Sequence, residues 1–186
     1  MLNQQMSPTI ETFTGVMFNI LNPTPDMIDI KDIAHAGSQL CRFTGHTKHH
    51  YSIAQHELLG SYLVPKECAL EFLLHDAAES YVNDMSRPLK HMTKLGETYR
   101  PIEDKIQSVI RQKFGLPVVQ TPIIHTVDNM MLWAEKKQLM FGRPEPNNQK
   151  LVNINTTEVA DVKILEMSPR TVESMFLMRF KELQEN

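Results

Sequence analysis

Apolar residues recur at intervals of three and four along most of the chain, the spacing of one face of an α-helix. The run that follows Asp29 is typical, because Ile30, Ile33 and Ala34 fall on one side of such a helix. Several runs also start with a residue suited to a helix N-terminus. We predict helices that begin at or near Asp29, Ser52, Lys66, Pro101, Thr121 and Ser168. This pattern predicts an all-α fold.

Capping and helix-breaking residues set the expected ends of these helices. Ser52 and Gln55 have the spacing of a capping box, and the helix that they begin should end near Pro65. The next apolar stripe predicts one continuous helix from Lys66 to Tyr81. Pro101 suits the first turn of the helix after that, and Gly115 suits its C-terminus.

Other segments predict loops and short strands. Asn83 and Pro88 indicate a loop, and the polar stretch 143–155 predicts a longer one. Residues 151–154 and 162–165 are candidate strands near the C-terminus. The length of 186 residues corresponds to one domain, so we expect a single domain over residues 1–186.

Composition excludes several classes of function. The chain has 19 basic and 22 acidic side chains, a balance that argues against binding a polymeric nucleic acid. It contains no long apolar run, so no membrane span is expected. It also lacks the sequence pattern of a glycine-rich phosphate-binding loop. With 2 cysteines and no secretory signal pattern, a cytoplasmic location is the simplest expectation.

An adjacent acid and base interrupt an apolar helical pattern in the string FLLHDAAESY. His75 and Glu79 are four residues apart and would share a helix face, with Asp76 offset by about 100°. Burial of such groups costs several kcal/mol unless they are paired or bind a metal. For the dipeptide alone, a hydrogen-bonded pair in the core is the alternative to a metal site.

Two further residues strengthen the metal hypothesis. His56 lies on the preceding predicted helix, and Asp128 lies beside apolar residues on a later one. With His75 and Asp76 they make a set of two imidazoles and two carboxylates, which suits a divalent ion such as Zn, Co, Mn or Mg. Thiolates are absent from the set, which disfavours a closed structural zinc site. An open coordination position would suit metal-assisted hydrolysis of a phosphoryl group.

The order H…HD…D, with the strings YSIAQH and HDAAESYVNDMSRPLK, closely resembles the HD-domain phosphohydrolases. The resemblance runs from about Gly15 to Lys137. It is strongest to the phage dATP triphosphohydrolases and the bacterial 5'-deoxynucleotidases. It implies a helical HD domain in which a divalent metal is held by His56, His75, Asp76 and Asp128.

The same resemblance implies roles for residues around the metal. Glu79 and Asp84 match acidic residues that position or activate water, and Arg42 matches an arginine that approaches the substrate. Lys48, Arg87 and Lys90 are further candidates for phosphate contacts, although each can equally be a solvated charge. Candidate walls for a base are Phe18, Asn19, Ile20 and Phe43, for which core packing is the alternative.

The expected activity is metal-dependent hydrolysis of a deoxyribonucleotide. A dATP triphosphohydrolase, which releases deoxyadenosine and phosphates, is the first choice because CRFTGH…YSIAQH…HDAAE is most similar to that group. The alternatives are a 5'-deoxynucleotidase acting on monophosphates, a phosphodiesterase of the same superfamily, or a non-catalytic module that binds metal or nucleotide. The resemblance also implies a homo-oligomer, from dimer to hexamer, and a host cytoplasmic location if the protein is phage-encoded.

Overall fold

The α-helices account for most of the chain that the computed structural model describes, which is residues 7–142 and 160–185. The helices are α1 (Ile30–Gln39), α2 (Ile53–Gly60), α3 (Ala69–Leu73), α4 (Glu79–Val82), α5 (Arg87–Met92), α6 (Lys94–Phe114), α7 (Pro122–Leu139) and α8 (Pro169–Gln184). Short 3-10 turns cover Pro25–Met27, Arg42–Gly45 and Lys66–Cys68. The predicted helical class is therefore confirmed at the level of a mostly helical protein.

A small antiparallel hairpin precedes the helices and was not predicted. Strand β1 (Thr9–Glu11) pairs with β2 (Met17–Asn19), and Gly15 takes the left-handed φ of 83° that the connecting turn requires. Asp32 fixes this turn to α1, because its carboxylate accepts hydrogen bonds from the backbone and hydroxyl of Thr14.

Of the two strands predicted near the C-terminus, the one at residues 162–165 is wrong and the other is not tested. Residues 162–165 have no strand partner within the described chain, and residues 151–154 lie outside the described residues. Most of the predicted long loop 143–155 lies outside them too. Side chains replace strand pairing here, since Gln138 donates to the carbonyl of Val162 and accepts from the amide of Ile164.

Several predicted helix ends are confirmed by their capping contacts. The side chain of Asp29 accepts a hydrogen bond from the Lys31 amide, and that of Ser52 accepts one from the Gln55 amide. Gly115 ends α6 with a left-handed φ of 66°. The Gln55 side chain does not complete a capping box, because it donates to the carbonyl of Leu165.

Other helix boundaries differ from the prediction. Helix α2 ends at Gly60 rather than near Pro65. Helix α6 begins at Lys94, where the Thr93 hydroxyl caps the Gly96 amide, so Pro101 lies inside the helix instead of in its first turn. The region of Pro88 is the start of a short helix, α5, rather than only loop.

The predicted continuous helix from Lys66 to Tyr81 is broken, and this is the difference that matters for function. Residues 74–78 form a series of turns between α3 and α4. The side chain of Gln107 on α6 donates to the Leu74 carbonyl and accepts from the Ala78 amide. The Asp76 amide donates to the carboxyl group of Glu57 on α2. These side chains replace the backbone partners that a helix would supply, so the chain can leave helical geometry here.

Two buried clusters flank this turn. One contains core residues such as Leu73, Leu74 and Ala77 with side chains from α1, α6 and α8. The other joins Phe72 to an α7 stripe that includes Val127 and Met131. No helix in the described ranges is both long and apolar enough to cross a membrane.

Candidate metal centre

Three chain segments bring the predicted ligands together. Helix α2 supplies His56, the 74–78 turn supplies His75 and Asp76, and α7 supplies Asp128. Each offers one ligand atom, and all four atoms lie within 4.8 Å of one another. In a regular helix Asp76 would be offset from His75 by about 100°. The turn removes that offset, so adjacent residues face the same point.

The distances between the ligand atoms are short and even. His56 Nε2 lies 3.4 Å from His75 Nε2 and 3.2 Å from Asp128 Oδ1. His75 Nε2 lies 3.3 Å from Asp76 Oδ2 and 3.9 Å from Asp128 Oδ1. Two imidazoles and two carboxylates arranged in this way could hold a divalent metal ion.

Hydrogen bonds orient both imidazole rings. His75 Nδ1 donates to the Phe72 carbonyl at 2.7 Å, and His56 Nδ1 donates to Glu135 Oε1 at 2.6 Å. Because Nδ1 carries the proton in each ring, Nε2 is directed at the cluster as a potential ligand. Both rings are buried, so solvent does not compete for these contacts.

The charges in the cluster are strongly coupled. Burial disfavours a charged His75, but Asp76 and Asp128 outweigh burial and raise its pKa well above the ordinary value. Burial would raise the pKa of Asp76, but the neighbouring His75 lowers it to about 2. Without a metal the histidines therefore hold protons that a divalent ion must displace.

The two predicted catalytic carboxyl groups lie beside the ligands. Glu79 is buried, and its Oε2 atom has no hydrogen-bond partner within the described chain. Burial, followed by the charges of Asp76 and Asp84, raises the pKa of Glu79 well above its ordinary value. Burial also raises the pKa of Asp84. Carboxyl groups whose pKa is raised by burial beside a candidate metal site are candidates for proton transfer.

A cavity of about 600 Å³ opens onto the cluster. Of the predicted site residues, those that line it are Arg42, Phe43, Asp76, Glu79, Asp84, Arg87, Lys90 and Asp128. Lys136 on α7 adds a further cation, while Leu132 and Met140 add apolar surface. The cavity thus combines acidic groups at the cluster with cationic and apolar walls.

Four predicted substrate-binding residues do not line this cavity. Phe18 is fully buried and stacks on Tyr81 at 4.1 Å, and Ile20 packs against the same core. Asn19 accepts backbone hydrogen bonds from the turn that follows β2. Lys48 donates to the carbonyl of Gln138. Packing and backbone contacts account for these four side chains.

Arg42 is held by two carboxylates. Its guanidinium donates to Asp76 Oδ2 at 3.5 Å and to Glu135 Oε2 at 3.2 Å. Burial opposes its charge, but Glu135 and Asp76 outweigh burial and raise the Arg42 pKa, so the side chain stays charged. The next two residues, Phe43 and Thr44, both have a left-handed φ of 54°, an unusual backbone for L-residues.

No family model matches the chain. The chain is 41% identical to the uncharacterized protein YfdR of Escherichia coli K12 over 178 residues, which are 95% of this chain and 96% of YfdR. The chain belongs to the YfdR family. The chain is also 32% identical to the uncharacterized protein RCAP_rcc00048 of Rhodobacter capsulatus over 156 residues, which are 72% of this chain and 79% of that protein.

In this member of the YfdR family, three residues at the site were missed by sequence reasoning. Tyr51 and Glu135 are fully buried and hydrogen-bonded to each other, and Glu57 is buried beside Asp76. Glu135 carried a signal, because it lies seven residues after Asp128 and therefore on the same helix face. Nothing in the sequence singled out Glu57. It directly follows His56, and its helix is buried on nearly every side, so no helix face in the sequence marks it as a site residue.

Proposed function

We propose that this protein is a metal-dependent phosphohydrolase of the HD type that acts on deoxyribonucleotides. The observation that carries the proposal is the convergence of four ligand atoms, from His56, His75, Asp76 and Asp128, beside a cavity. Glu79 and Asp84 line the same cavity and add carboxyl groups that ligand binding alone does not need. This pairing favours an enzyme over a non-catalytic binding module.

The residues of the site suit hydrolysis of a phosphate ester. A bound divalent ion would supply Lewis acidity, which phosphoryl transfer uses to neutralise developing charge. Once ionised, Glu79 can accept a proton from the attacking water, because burial raises the proton affinity of its carboxylate. Asp84 lies close enough for its charge to raise that pKa further. Glu79 is buried and Asp84 is half-buried, which restricts the access of competing water.

The cavity walls suit a nucleotide. Arg42, Arg87 and Lys90 provide positive charge for phosphate oxygens. Phe43 and Leu132 provide apolar surface for a base or sugar. The volume of about 600 Å³ is large enough for a nucleotide. We take dATP as the first substrate, on the resemblance of the CRFTGH…YSIAQH…HDAAE layout to the phage dATP triphosphohydrolases.

The experiment compares the wild type with Asp128→Asn, which replaces one anionic ligand by a neutral amide, and with the matched control Asp161→Asn at an exposed position. Each protein is tested with the four dNTPs and four dNMPs in the presence of Co, Mn, Mg or Zn. We expect dATP to yield deoxyadenosine, with turnover reduced about 100-fold or more in Asp128→Asn. Mutation of a residue that only hydrogen-bonds to a metal ligand already lowers metal affinity or activity about tenfold or more. Asp161→Asn should retain activity.

Separation of the products on an anion-exchange column identifies the reaction. Release of inorganic triphosphate in one piece, together with deoxyadenosine, supports a triphosphohydrolase. Turnover of dNMPs alone supports the 5'-deoxynucleotidase alternative. Equal rates on all four bases would overturn the preference for adenine. An ion-loaded wild type that turns over no nucleotide would overturn the enzymatic proposal in favour of a binding module.

A further inference from the structure

The geometry points to Glu135 as a positioning residue that holds His56 in the orientation required of a metal ligand, and that also holds Arg42. This inference rests on the metal site of the proposed function. It assigns a role to a residue of α7 outside the ligand set and outside the cavity lining.

Glu135 is a fully buried carboxylate that accepts hydrogen bonds from three donors. Its Oε1 atom accepts hydrogen bonds from His56 Nδ1 at 2.6 Å and from the Tyr51 hydroxyl at 2.8 Å. Its Oε2 atom accepts from Arg42 at 3.2 Å. An isolated carboxylate in such an interior would be costly, and these three donors offset that cost. The carboxylate is therefore held in one position by α7 and its partners.

A fixed carboxylate at this position determines the state of the His56 ring. The Nδ1 proton is held by Glu135, so Nε2 is the atom that faces His75 and Asp128 and would bind a metal. A carboxylate partner also makes the imidazole a stronger electron donor to a metal. His75 differs, because its Nδ1 donates to the neutral carbonyl of Phe72. The two histidines are thus supported unequally, and the stronger support belongs to His56.

Glu135 also reaches a second ligand through Arg42. The guanidinium lies between Glu135 and Asp76, and it contacts one oxygen of each. Removal of the Glu135 charge would leave Arg42 with Asp76 alone and would draw the guanidinium towards a ligand oxygen. Loss of the carboxylate should therefore disturb the coordination sphere from two sides.

The test measures Co²⁺ binding to metal-free protein by calorimetry and by the visible absorption of bound Co²⁺. The variant is Glu135→Gln, which preserves size. The matched control is Glu71→Gln, because Glu71 is also buried and its carboxylate pairs with an arginine, Arg111, at 3.1 Å. Glu71 is not one of the four candidate ligands. We expect Glu135→Gln to weaken Co²⁺ binding by about 10- to 100-fold and to shift the absorption bands, with Glu71→Gln unchanged in both.

Tyr51→Phe provides a second, milder variant, since it removes one hydrogen bond to Glu135 and keeps the charge. It should shift affinity in the same direction by a smaller factor, and it decides the matter if Glu135→Gln does not fold. Wild-type affinity and spectrum in both variants, or in Tyr51→Phe when it alone folds, would overturn the inference. A wild type that binds no Co²⁺ would instead overturn the metal site itself.

Discussion

At the scale of single residues, the buried carboxyl groups differ in how many donors they contact. Glu135 contacts three donors, and although burial raises its pKa, Arg42 and His56 lower it to about 2. Glu57 accepts one hydrogen bond, from the Asp76 amide, and its Oε2 atom has no partner within the described residues. Burial therefore raises the Glu57 pKa well above its ordinary value of 4.5. One carboxyl group is charged at neutral pH, and the other resists ionisation.

This difference predicts a pH-dependent effect of Glu57→Gln. The folded-state pKa of Glu57 exceeds its unfolded value, so its stabilising contribution is present below pH 4.5 and is lost as pH rises through the folded pKa. Glutamine does not titrate. The free energy of unfolding of Glu57→Gln should therefore gain on the wild type by about 1.4 kcal/mol per pH unit within that window.

Urea unfolding in EDTA between pH 4 and 8 measures this gain. Glu166→Gln serves as the control, because Glu166 is exposed. A difference between Glu57→Gln and wild type that stays constant with pH would contradict the prediction.

Residue type and neighbours were sufficient to select the four candidate ligands, because a histidine or aspartate amid apolar residues is costly without a partner. The structure brings one nitrogen or oxygen atom from each of those four residues within 4.8 Å of the others. Phe18 was a candidate wall for a base with core packing as the alternative, and it is a core residue. The sequence does not distinguish an aromatic residue of the core from one of a cavity wall, because both positions require the same apolar character.

At the scale of elements, the 74–78 turn shows where local pattern fails. The string FLLHDAAESY has the apolar spacing of a helix, and helix was predicted. Gln107 lies about thirty residues further along the chain and takes over the backbone groups of Leu74 and Ala78. A contact so distant in sequence has no periodic signature, and it decides the conformation of the residues that carry His75 and Asp76.

Gln107→Ala should therefore weaken both the fold and the metal centre. It leaves the Leu74 carbonyl and the Ala78 amide without their side-chain partner, at a cost of about 1–3 kcal/mol. It should also lower Co²⁺ affinity, because the turn that aligns His75 with Asp76 loses its support. Gln112→Ala, at an exposed position of the same helix, is the control.

Urea unfolding and Co²⁺ titration measure the two effects of Gln107→Ala. Equal stability and affinity in the two glutamine variants would show that the turn holds its shape without Gln107.

At the scale of the whole molecule, a metal would join segments that are far apart in the chain. Helix α2, the 74–78 turn and α7 each contribute a ligand, so an ion bound only by the folded state should raise its stability. The gain is about 2.7 kcal/mol at a free ion concentration 100 times the Kd. Protons on His56 and His75 compete with the ion, because both pKa values are raised, so the gain should shrink as pH falls.

Thermal unfolding with Co²⁺ or EDTA, at several pH values, measures this effect. We expect a higher midpoint with Co²⁺ in the wild type and little change in Asp128→Asn. An identical midpoint with and without Co²⁺ in the wild type would contradict the prediction.

The overall architecture was partly predictable for similar physical reasons. Helices with a strong local cap, such as those after Asp29 and Ser168, begin where predicted. The hairpin was missed because strands of three residues, Thr9–Glu11 and Met17–Asn19, are too short for alternation to register. The assembly into a homo-oligomer stays a prediction.

The backbone of Phe43 and Thr44 links the shape of the cavity to the energy of the folded state. A left-handed conformation costs an L-residue about 1–2 kcal/mol, and these two residues adopt it in succession. Glycine at position 43 would relieve that energy but would also delete the ring that lines the cavity. A laboratory screen for heat resistance alone would therefore favour glycine at position 43 and remove this part of the cavity wall. Selection for thermal stability and selection for ligand binding oppose each other at this residue.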